Sequence, residues 1–231
     1  VKVYDVAIIG AGAAGMLAAI RAAQCGARVI LLERNSSAGR KILITGGGRC
    51  NLTNTAPLNI FIDKFKPTGE FLRSAFFVFS NEDLMDFFRS QGLALITEER
   101  GRVIPVTGDS ASVVRVLERS LKTSGVDCVF NARVSDVKRE GVSFLLCVSG
   151  KPHIQASKVI IATGGASYKA TGSSGDGVVF ARQFNHAIIP FSPGLVPLIT
   201  KERWVRDLQG ISLSPVRIVF SCGHKKISSD I

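Results

Sequence analysis

Length, composition and charge already restrict what this chain can be. With 231 residues, of which 46% are hydrophobic and 20% charged, it has ordinary globular composition, which excludes a disordered or low-complexity chain. Its apolar runs fall short of the roughly 18 residues that a membrane-spanning helix needs, so we predict no membrane partner. The formal net charge of +11 favours anionic partners such as phosphates, nucleic acid or acidic metabolites, although the scattered cations equally suit an ordinary basic surface.

The cysteines and histidines argue against disulfides and metals. The five cysteines are odd in number, widely spaced and never arranged as C-x-x-C, and the three histidines have no metal-ligand spacing. We therefore predict no disulfide framework, no bound metal and a reducing, cytoplasmic compartment.

The first 33 residues follow the pattern of a strand, a tight turn, a helix and a second strand. Val6–Ile9 is a continuous apolar run, typical of a strand buried on both faces of a parallel sheet. An alanine-rich stretch from Met16 to Cys25 predicts a helix that ends at Gly26. Arg28–Glu33 then predicts the second buried strand, with an acid at its end.

The turn between the first strand and the helix has the spacing G-x-G-x-x-G. Gly10 allows the tight turn, Gly12 lets the backbone approach a pyrophosphate, and Gly15 lets the helix pack close to the strand. Glu33 stands where an acid can accept a hydrogen bond from a ribose hydroxyl. Strand, turn, helix and acid together predict a dinucleotide-binding α/β domain.

A second glycine-rich stretch follows the second strand. Arg40 and Lys41 precede three consecutive glycines at 46–48, and Arg49 follows them. Glycines permit a close backbone approach to a ligand, and the cations would meet phosphate or ring-oxygen charge. The alternative is a loop whose charges are simply solvated.

The remainder predicts one nucleotide domain over residues 1–190 and the start of a second, β-rich domain over 191–231. Residues 68–125 are expected to be mainly helical, with helices beginning near Ser80 and Asp109, and residues 126–157 to form a β-meander. Lys158–Ala162 predicts a buried strand ending in Thr163-Gly164-Gly165. A small-residue loop and a helix over Val178–Asn185 follow.

These motifs resemble those of the two-dinucleotide-domain flavoproteins and, more narrowly, of the BaiN/RdsA-type, aminoacetone oxidase-like FAD-dependent oxidoreductases. The resemblance covers essentially the whole chain. It rests on Gly10 to Glu33, on Gly39-Arg40-Lys41 through Gly46-Gly47-Gly48-Arg49-Cys50-Asn51 to Asn54, on Ala162 to Gly165, on Thr171 to Gly177 and on Leu195-Val196-Pro197-Leu198.

The resemblance implies an FAD site. Gly10, Gly12, Ala13, Ala14 and Gly15 would hold the pyrophosphate and Glu33 the adenosine ribose. Arg34, Arg40 and Lys41 would line the adenosine and phosphate side, and Gly46, Gly47, Gly48, Arg49 and Asn51 would pass near the pyrophosphate and flavin. Val134 would contact adenine through its backbone, and Thr163, Gly164 and Asp176 would close that half of the site.

The resemblance implies an FAD-binding, Rossmann-like α/β fold, a reaction class and a truncated chain. Members have been described as bile-acid-type reductases, aminoacetone oxidases and, in one branch, ribosomal-RNA dihydrouridine synthases. We expect hydride or electron transfer to or from a small unsaturated or amine substrate, with NAD(P)H as a candidate electron donor and ribosomal RNA as the alternative substrate. Members return from the second domain to cover the flavin, so we expect this chain to be truncated and to bind FAD weakly.

Two other interpretations and one catalytic candidate remain open. A nicotinamide-only reductase would leave the triple glycine and Thr163-Gly164-Gly165 unexplained. A non-enzymatic nucleotide- or RNA-binding module would fit the charge, although no RNA-binding signature supports it. Cys50 lies in the glycine-rich, cation-flanked loop, where the pKa of a thiol could be lowered. It is a candidate proton donor, and packing beside the flavin is the alternative.

Overall fold

The computed structural model describes residues 2–65, 68–192, 194, 199–211 and 216–230. The chain divides into two compact units, residues 1–189 and residues 190–231. The predicted motif Leu195-Val196-Pro197-Leu198 lies outside the described residues.

Six α-helices and eleven strands are described. The helices are α1 (Ala13–Gln24), α2 (Leu58–Asp63), α3 (Gly69–Val78), α4 (Asn81–Ser90), α5 (Ser110–Thr123) and α6 (Asp176–Gln183). The strands are β1 (Lys2–Ile9), β2 (Val29–Leu32), β3 (Thr53–Asn54), β4 (Leu95–Thr97), β5 (Arg102–Pro105), β6 (Asp127–Val129), β7 (Val134–Glu140), β8 (Ser143–Val148), β9 (Ile154–Ile161), β10 (Arg217–Cys222) and β11 (Lys225–Asp230).

A six-stranded mixed sheet organises the first unit, in the order β6-β2-β1-β9-β8-β7. The strands β6, β2, β1 and β9 run parallel, and β9, β8 and β7 are joined antiparallel. In the centre Val6 is paired with Val29 on one side and with Lys158 on the other. This is the predicted α/β, Rossmann-like architecture.

The two faces of β1 enter different hydrophobic clusters because successive side chains of a strand point to opposite faces. Ile8 packs with Met16 of α1 and Leu117 of α5. Ala7 packs on the other side with Leu146 of β8 and Phe180 of α6. The strand β1 is therefore covered on both faces, as its continuous apolar run predicts.

Local sequence signals determine where two of the helices begin. Ser80 caps α4 with a capping box, in which its hydroxyl accepts a hydrogen bond from the Asp83 N–H and the Asp83 carboxylate accepts one from the Ser80 N–H. The Asp109 carboxylate accepts from the Ala111 N–H and caps α5. Both starts were predicted from the sequence.

Two details of the predicted strands are wrong. The predicted meander over 126–157 does not include β6, which instead lies parallel to β2 and pairs Cys128 with Leu31. The predicted burial of Lys158–Ala162 is also wrong, because Ile160 and Ile161 are 37% and 39% exposed. The pairing of β8 reaches β9 only as far as Ala156, so the second half of β9 is hydrogen-bonded on its β1 side alone among the described residues.

Smaller sheets complete the two units. In the first unit β3, β5 and β4 form an antiparallel sheet, and β4 and β5 lie within the region 68–125 that was predicted to be mainly helical. In the second unit β10 and β11 form an antiparallel hairpin in which Phe220 is paired with Ile227. Within the described ranges, each helix is too short or too polar to cross a lipid bilayer.

Candidate nucleotide-binding site

The turn after β1 is built around two crowded glycines. Gly10 has a left-handed φ of 105°, and a Cβ placed on it would lie 2.6 Å from the Ala162 carbonyl oxygen. A Cβ on Gly15 would collide with the Gly10 carbonyl oxygen. The two glycines thus allow α1 and the end of β9 to approach the turn, the role that the G-x-G-x-x-G spacing predicts.

Gly12 stands in open space instead. No described atom outside its immediate neighbours lies within 4 Å of a Cβ placed on Gly12. Gly12 is the N-cap of α1, has no side chain to cap the helix, and the first turn contains no acidic residue. The first N–H groups and the positive end of the helix dipole therefore remain available to an anion.

A cavity of about 660 Å³ opens at this turn, within the usual size range of small-molecule and cofactor sites. It lies beyond the carboxyl ends of the parallel strands β1, β2 and β9, which is where open α/β sheets bind ligands. The sequence-predicted residues that line it are Gly10, Gly12, Ala13, Ala14, Glu33, Arg34, Arg40, Lys41, Val134, Thr163, Gly164 and Asp176. Most of the predicted site is therefore brought to one cavity.

Glu33 is buried at the edge of this cavity, with 7% of its surface exposed. Its Oε2 accepts a hydrogen bond from the Ala11 N–H at 2.7 Å. Its Oε1 accepts from the N–H and from the side-chain amide of Asn35, at 2.8 and 2.7 Å. These charge-assisted bonds compensate the burial of the carboxylate and hold it against the glycine turn.

The cations of the cavity are partly engaged with the loop that precedes α6. Arg34 donates to the Ser174 hydroxyl at 2.6 Å and forms an ion pair with Asp176 at 3.4 Å. Lys41 donates to the Ser173 hydroxyl at 2.7 Å and to the Ser167 carbonyl at 3.0 Å. These side chains therefore join the segment after β2 to the loop after β9 on the far wall of the cavity.

The triple-glycine loop lies beside the cavity. Ile42 and Thr45 line it, whereas Gly46, Gly47, Gly48, Arg49, Asn51 and the helix glycine Gly15 are not among the lining residues that the structure describes. The three loop glycines all have left-handed φ angles, and the Cys50 N–H returns to the Thr45 carbonyl at 3.1 Å. Arg49 is turned to an ion pair with Glu98 at 2.9 Å.

The expectation of a lowered pKa at Cys50 is wrong. Cys50 is 6% exposed and belongs to the hydrophobic cluster of α1 and α5, although its φ of 60° is left-handed. Burial raises the pKa of the Cys50 thiol above its ordinary value, and a hydrogen bond with Thr45 offsets this only in part. The thiol is therefore a neutral packing group at physiological pH.

Sequence reasoning did not name several polar residues of the cavity as site residues, and Asn35 and Arg133 are two of them. Asn35 lies two residues after Glu33, and Arg133 precedes Val134 and approaches Asp176 at 3.5 Å. The available signal was weak: both are polar residues in the connection that follows a parallel strand, Asn35 after β2 and Arg133 after β6. Such positions fall at the ligand-binding edge of an α/β sheet.

The strand, glycine turn and helix, together with the cavity at the carboxyl edge of the sheet, define a dinucleotide-binding Rossmann-like domain. Residues 4–215 match the family model described as "HI0933-like protein Rossmann domain", and the chain belongs to this family. The family is the one that the motifs of the sequence indicate.

Two curated relatives show the similarity to whole proteins. The chain is 35% identical over 228 residues to the 3-dehydro-bile acid delta(4,6)-reductase of Clostridium scindens. This match covers 97% of this chain and 54% of the relative. It is 33% identical over 210 residues to the ribosomal RNA dihydrouridine synthase of Escherichia coli K12, covering 89% and 50%. The chain thus spans about half the length of the curated relatives it matches.

Solved structures share the fold. A 3-ketosteroid-delta4-(5alpha)-dehydrogenase from Rhodococcus jostii RHA1 matches with a TM-score of 0.57 at 20% identity, covering 72% of this chain and 47% of that one. A flavocytochrome c3 fumarate reductase in its open conformation matches with a TM-score of 0.57 at 22% identity, covering 79% and 40%. At these identities the likeness establishes the architecture of the domain.

Proposed function

We propose that the chain is the FAD-binding part of an oxidoreductase. The observation that carries this proposal is the open space at Gly12, directly before an uncapped helix N-terminus, within a cavity that ends at the buried carboxylate of Glu33. These features fit the pyrophosphate and the adenosine ribose of a dinucleotide. The resemblance of the sequence motifs to those of FAD-dependent oxidoreductases favours FAD as that dinucleotide, and a relative named as a reductase supports a redox function.

The proposed contacts follow from where the residues lie. Gly12, Ala13 and Ala14 would present backbone N–H groups to the pyrophosphate, and Glu33 would accept from the ribose. Val134 would face the adenine, Thr163, Gly164 and Asp176 would close this half of the site, and Arg40 would supply positive charge. The 46–51 loop is proposed as a wall on the flavin side, because Ile42 and Thr45 line the cavity immediately before it.

We propose a redox reaction on a small unsaturated or amine substrate, with NAD(P)H as the electron donor. FAD, when bound, would supply the hydride- or electron-transfer chemistry, and the protein supplies binding, orientation and electrostatics. Cys50 is buried in the hydrophobic cluster and is not among the described residues that line the cavity, so we propose that it packs beside the site and takes no part in proton transfer. The five free cysteines support the cytoplasm as the proposed compartment.

The test is cofactor binding by the 231-residue chain. We expect FAD fluorescence to be quenched on titration with protein, and ADP to compete, because both carry the adenosine and phosphate groups that the cavity fits. NADPH oxidation with candidate acceptors would then be followed in the loaded protein. Binding of NAD together with a failure to bind FAD would contradict the proposal.

Ribosomal RNA is the second candidate substrate. It is favoured by the net charge of +11 and by relatives named as ribosomal RNA dihydrouridine synthases. If RNA binds, log affinity should fall with log salt concentration with a slope of about −0.7 for each phosphate neutralised on a single strand. A nearly flat salt dependence would favour a small-molecule substrate.

A further inference from the structure

We propose that Asn35 is a positioning residue that holds the carboxylate of Glu33 so that it accepts a single ribose hydroxyl of the bound nucleotide. This inference rests on the proposed dinucleotide site and deepens it. Asn35 lines the same cavity, yet the turn motif does not include it.

The side chain of Asn35 joins three segments of the cavity wall. Its amide nitrogen donates to Glu33 Oε1 at 2.7 Å, at the end of β2, and to the Thr171 carbonyl at 3.1 Å. Its amide oxygen accepts from Arg40 at 3.0 Å. Both polar atoms of the side chain are thus used within the protein, which fixes its orientation.

The backbone around Asn35 is held as firmly. The Asn35 N–H donates to Glu33 Oε1, and the Asn35 carbonyl accepts from the Asn131 N–H at 2.9 Å. Gly172 packs directly against the side chain, since a Cβ built there would lie 2.5 Å from the Asn35 amide nitrogen. Any residue other than glycine at position 172 would therefore displace Asn35.

The consequence for Glu33 follows from counting its acceptor positions. A carboxylate has roughly four lone-pair positions. The Oε1 atom of Glu33 accepts two hydrogen bonds, both from Asn35, and Oε2 accepts one from the Ala11 N–H. Among the described residues, one acceptor position remains, on Oε2. Glu33 can therefore take one hydroxyl of the ligand, and Asn35 determines which oxygen is left to take it.

The test compares nucleotides that differ by one hydroxyl. The affinities of ADP, 2′-deoxy-ADP and 3′-deoxy-ADP are measured by calorimetry on the 231-residue chain. A hydrogen bond to a charged acceptor predicts that one of the two deoxy analogues binds about tenfold more weakly than ADP. The other analogue should bind nearly as well as ADP, because one acceptor position is free.

Two variants separate positioning from general support of the fold. Asn35→Asp keeps the size and the acceptor for Arg40, but it cannot donate to Glu33 and places a second carboxylate beside it. Asn35→Ala removes the side chain without adding charge. In both variants, the tenfold ratio between the affinity of ADP and that of the sensitive deoxy analogue should fall to about twofold or less, because the side chain of residue 35 no longer holds the Glu33 carboxylate. Asn59→Ala, on the exposed face of α2, is the matched control and should keep the ratio.

The outcomes distinguish this inference from the proposed function. A chain that does not bind ADP contradicts the dinucleotide site, and the role of Asn35 with it. A tenfold ratio that both Asn35 variants retain, even at lower overall affinity, leaves the dinucleotide site standing and overturns the role of Asn35. Equal losses with both deoxy analogues would overturn the single-hydroxyl assignment. Melting curves identify any variant that fails to fold, and the other variant then decides.

Discussion

At the scale of single residues, the three glycines of the turn after β1 meet different surroundings. Gly10 and Gly15 stand against backbone atoms of Ala162 and of Gly10 itself, whereas Gly12 faces open space. The first two are needed for the fold to close, and the third leaves room for a ligand. Two positions of the motif are therefore structural, and we propose the third as a binding position.

This contrast predicts opposite effects of substituting Gly12 and Gly15. The Gly12→Val variant should melt close to the wild-type temperature but lose ADP affinity by at least about tenfold, because the side chain fills the space for the phosphates. Gly15→Ala should instead destabilise the protein by about 1–3 kcal/mol, the usual cost of forcing atoms into a packed site. Calorimetry and urea unfolding measure the two effects. Wild-type ADP affinity in Gly12→Val would show that the turn is structural only.

The burial of Cys50 predicts a protected thiol. Because burial raises its pKa and the side chain is only 6% exposed, Cys50 should react with iodoacetamide far more slowly than the exposed Cys25. Mass spectrometry after a timed reaction at pH 8 reads both sites in the same sample. Equal labelling of Cys50 and Cys25 would contradict the packing role and reopen Cys50 as a reactive group.

At the scale of elements, the helices and strands that were predicted correctly are those with a recognisable pattern in a short stretch of sequence. The apolar runs of β1 and β2, the alanine-rich α1 and the caps of α4 and α5 are all visible within short windows. The wrong predictions concern strand pairing. The strand β6 pairs with β2, which is distant in the sequence, and β9 is exposed beyond the point where its pairing with β8 ends. No local pattern states which strand will lie beside another, so these features could not be read from the sequence.

A side-chain hydrogen bond between β1 and β6, which are separated by β2 in the sheet, affects the stability of the protein at alkaline pH. The hydroxyl of Tyr4 in β1 donates to Asp127 in β6 at 2.7 Å, and burial together with this carboxylate raises the pKa of Tyr4 from 10.0 to about 12. The unfolded chain therefore ionises first, so the stability that Tyr4 contributes below pH 10 is lost as the pH rises toward 12.

The Tyr4→Phe variant tests this pH dependence. It should be less stable by about 1 kcal/mol at pH 7, because the hydrogen bond to Asp127 is lost. Its free energy of unfolding should then fall less steeply than that of the wild type between pH 10 and pH 12. Parallel curves over this range, from urea unfolding at several pH values, would show that Tyr4 ionises alike in the folded and unfolded chains.

At the scale of the whole molecule, the position of the candidate site could be predicted from the sequence, but the hydrogen bonds between its residues could not. The turn motif and Glu33 indicate a phosphate and ribose site because their chemistry depends on fixed local spacing. Asn35 and Arg133 became visible only in the structure, because their partners Thr171 and Asp176 lie far along the chain. Tertiary hydrogen bonds of this kind leave no periodic signal in the sequence.

The division into two units predicts that nucleotide binding belongs to the first. Among the described residues, those that line the cavity fall between Ile9 and Ile188, and the first unit ends at Ile189. A chain of residues 1–189 should therefore bind ADP within about twofold of the 231-residue chain, since a domain with its own core retains its site. A much larger loss on calorimetry would show that residues 190–231 contribute to the affinity.

The position of β1 in the sheet has a consequence for the order of folding. This apolar strand lies between β2 and β9, and Lys2, near the start of the chain, pairs with Ile154. During synthesis, β1 can find β2 early, but its other edge stays unpaired until β9 has left the ribosome. Such non-local parallel pairing is slow and leaves a nascent chain prone to association. Gly10 meets Ala162 only when that late pairing forms, so the turn after β1 should be among the last parts of the domain to become ordered.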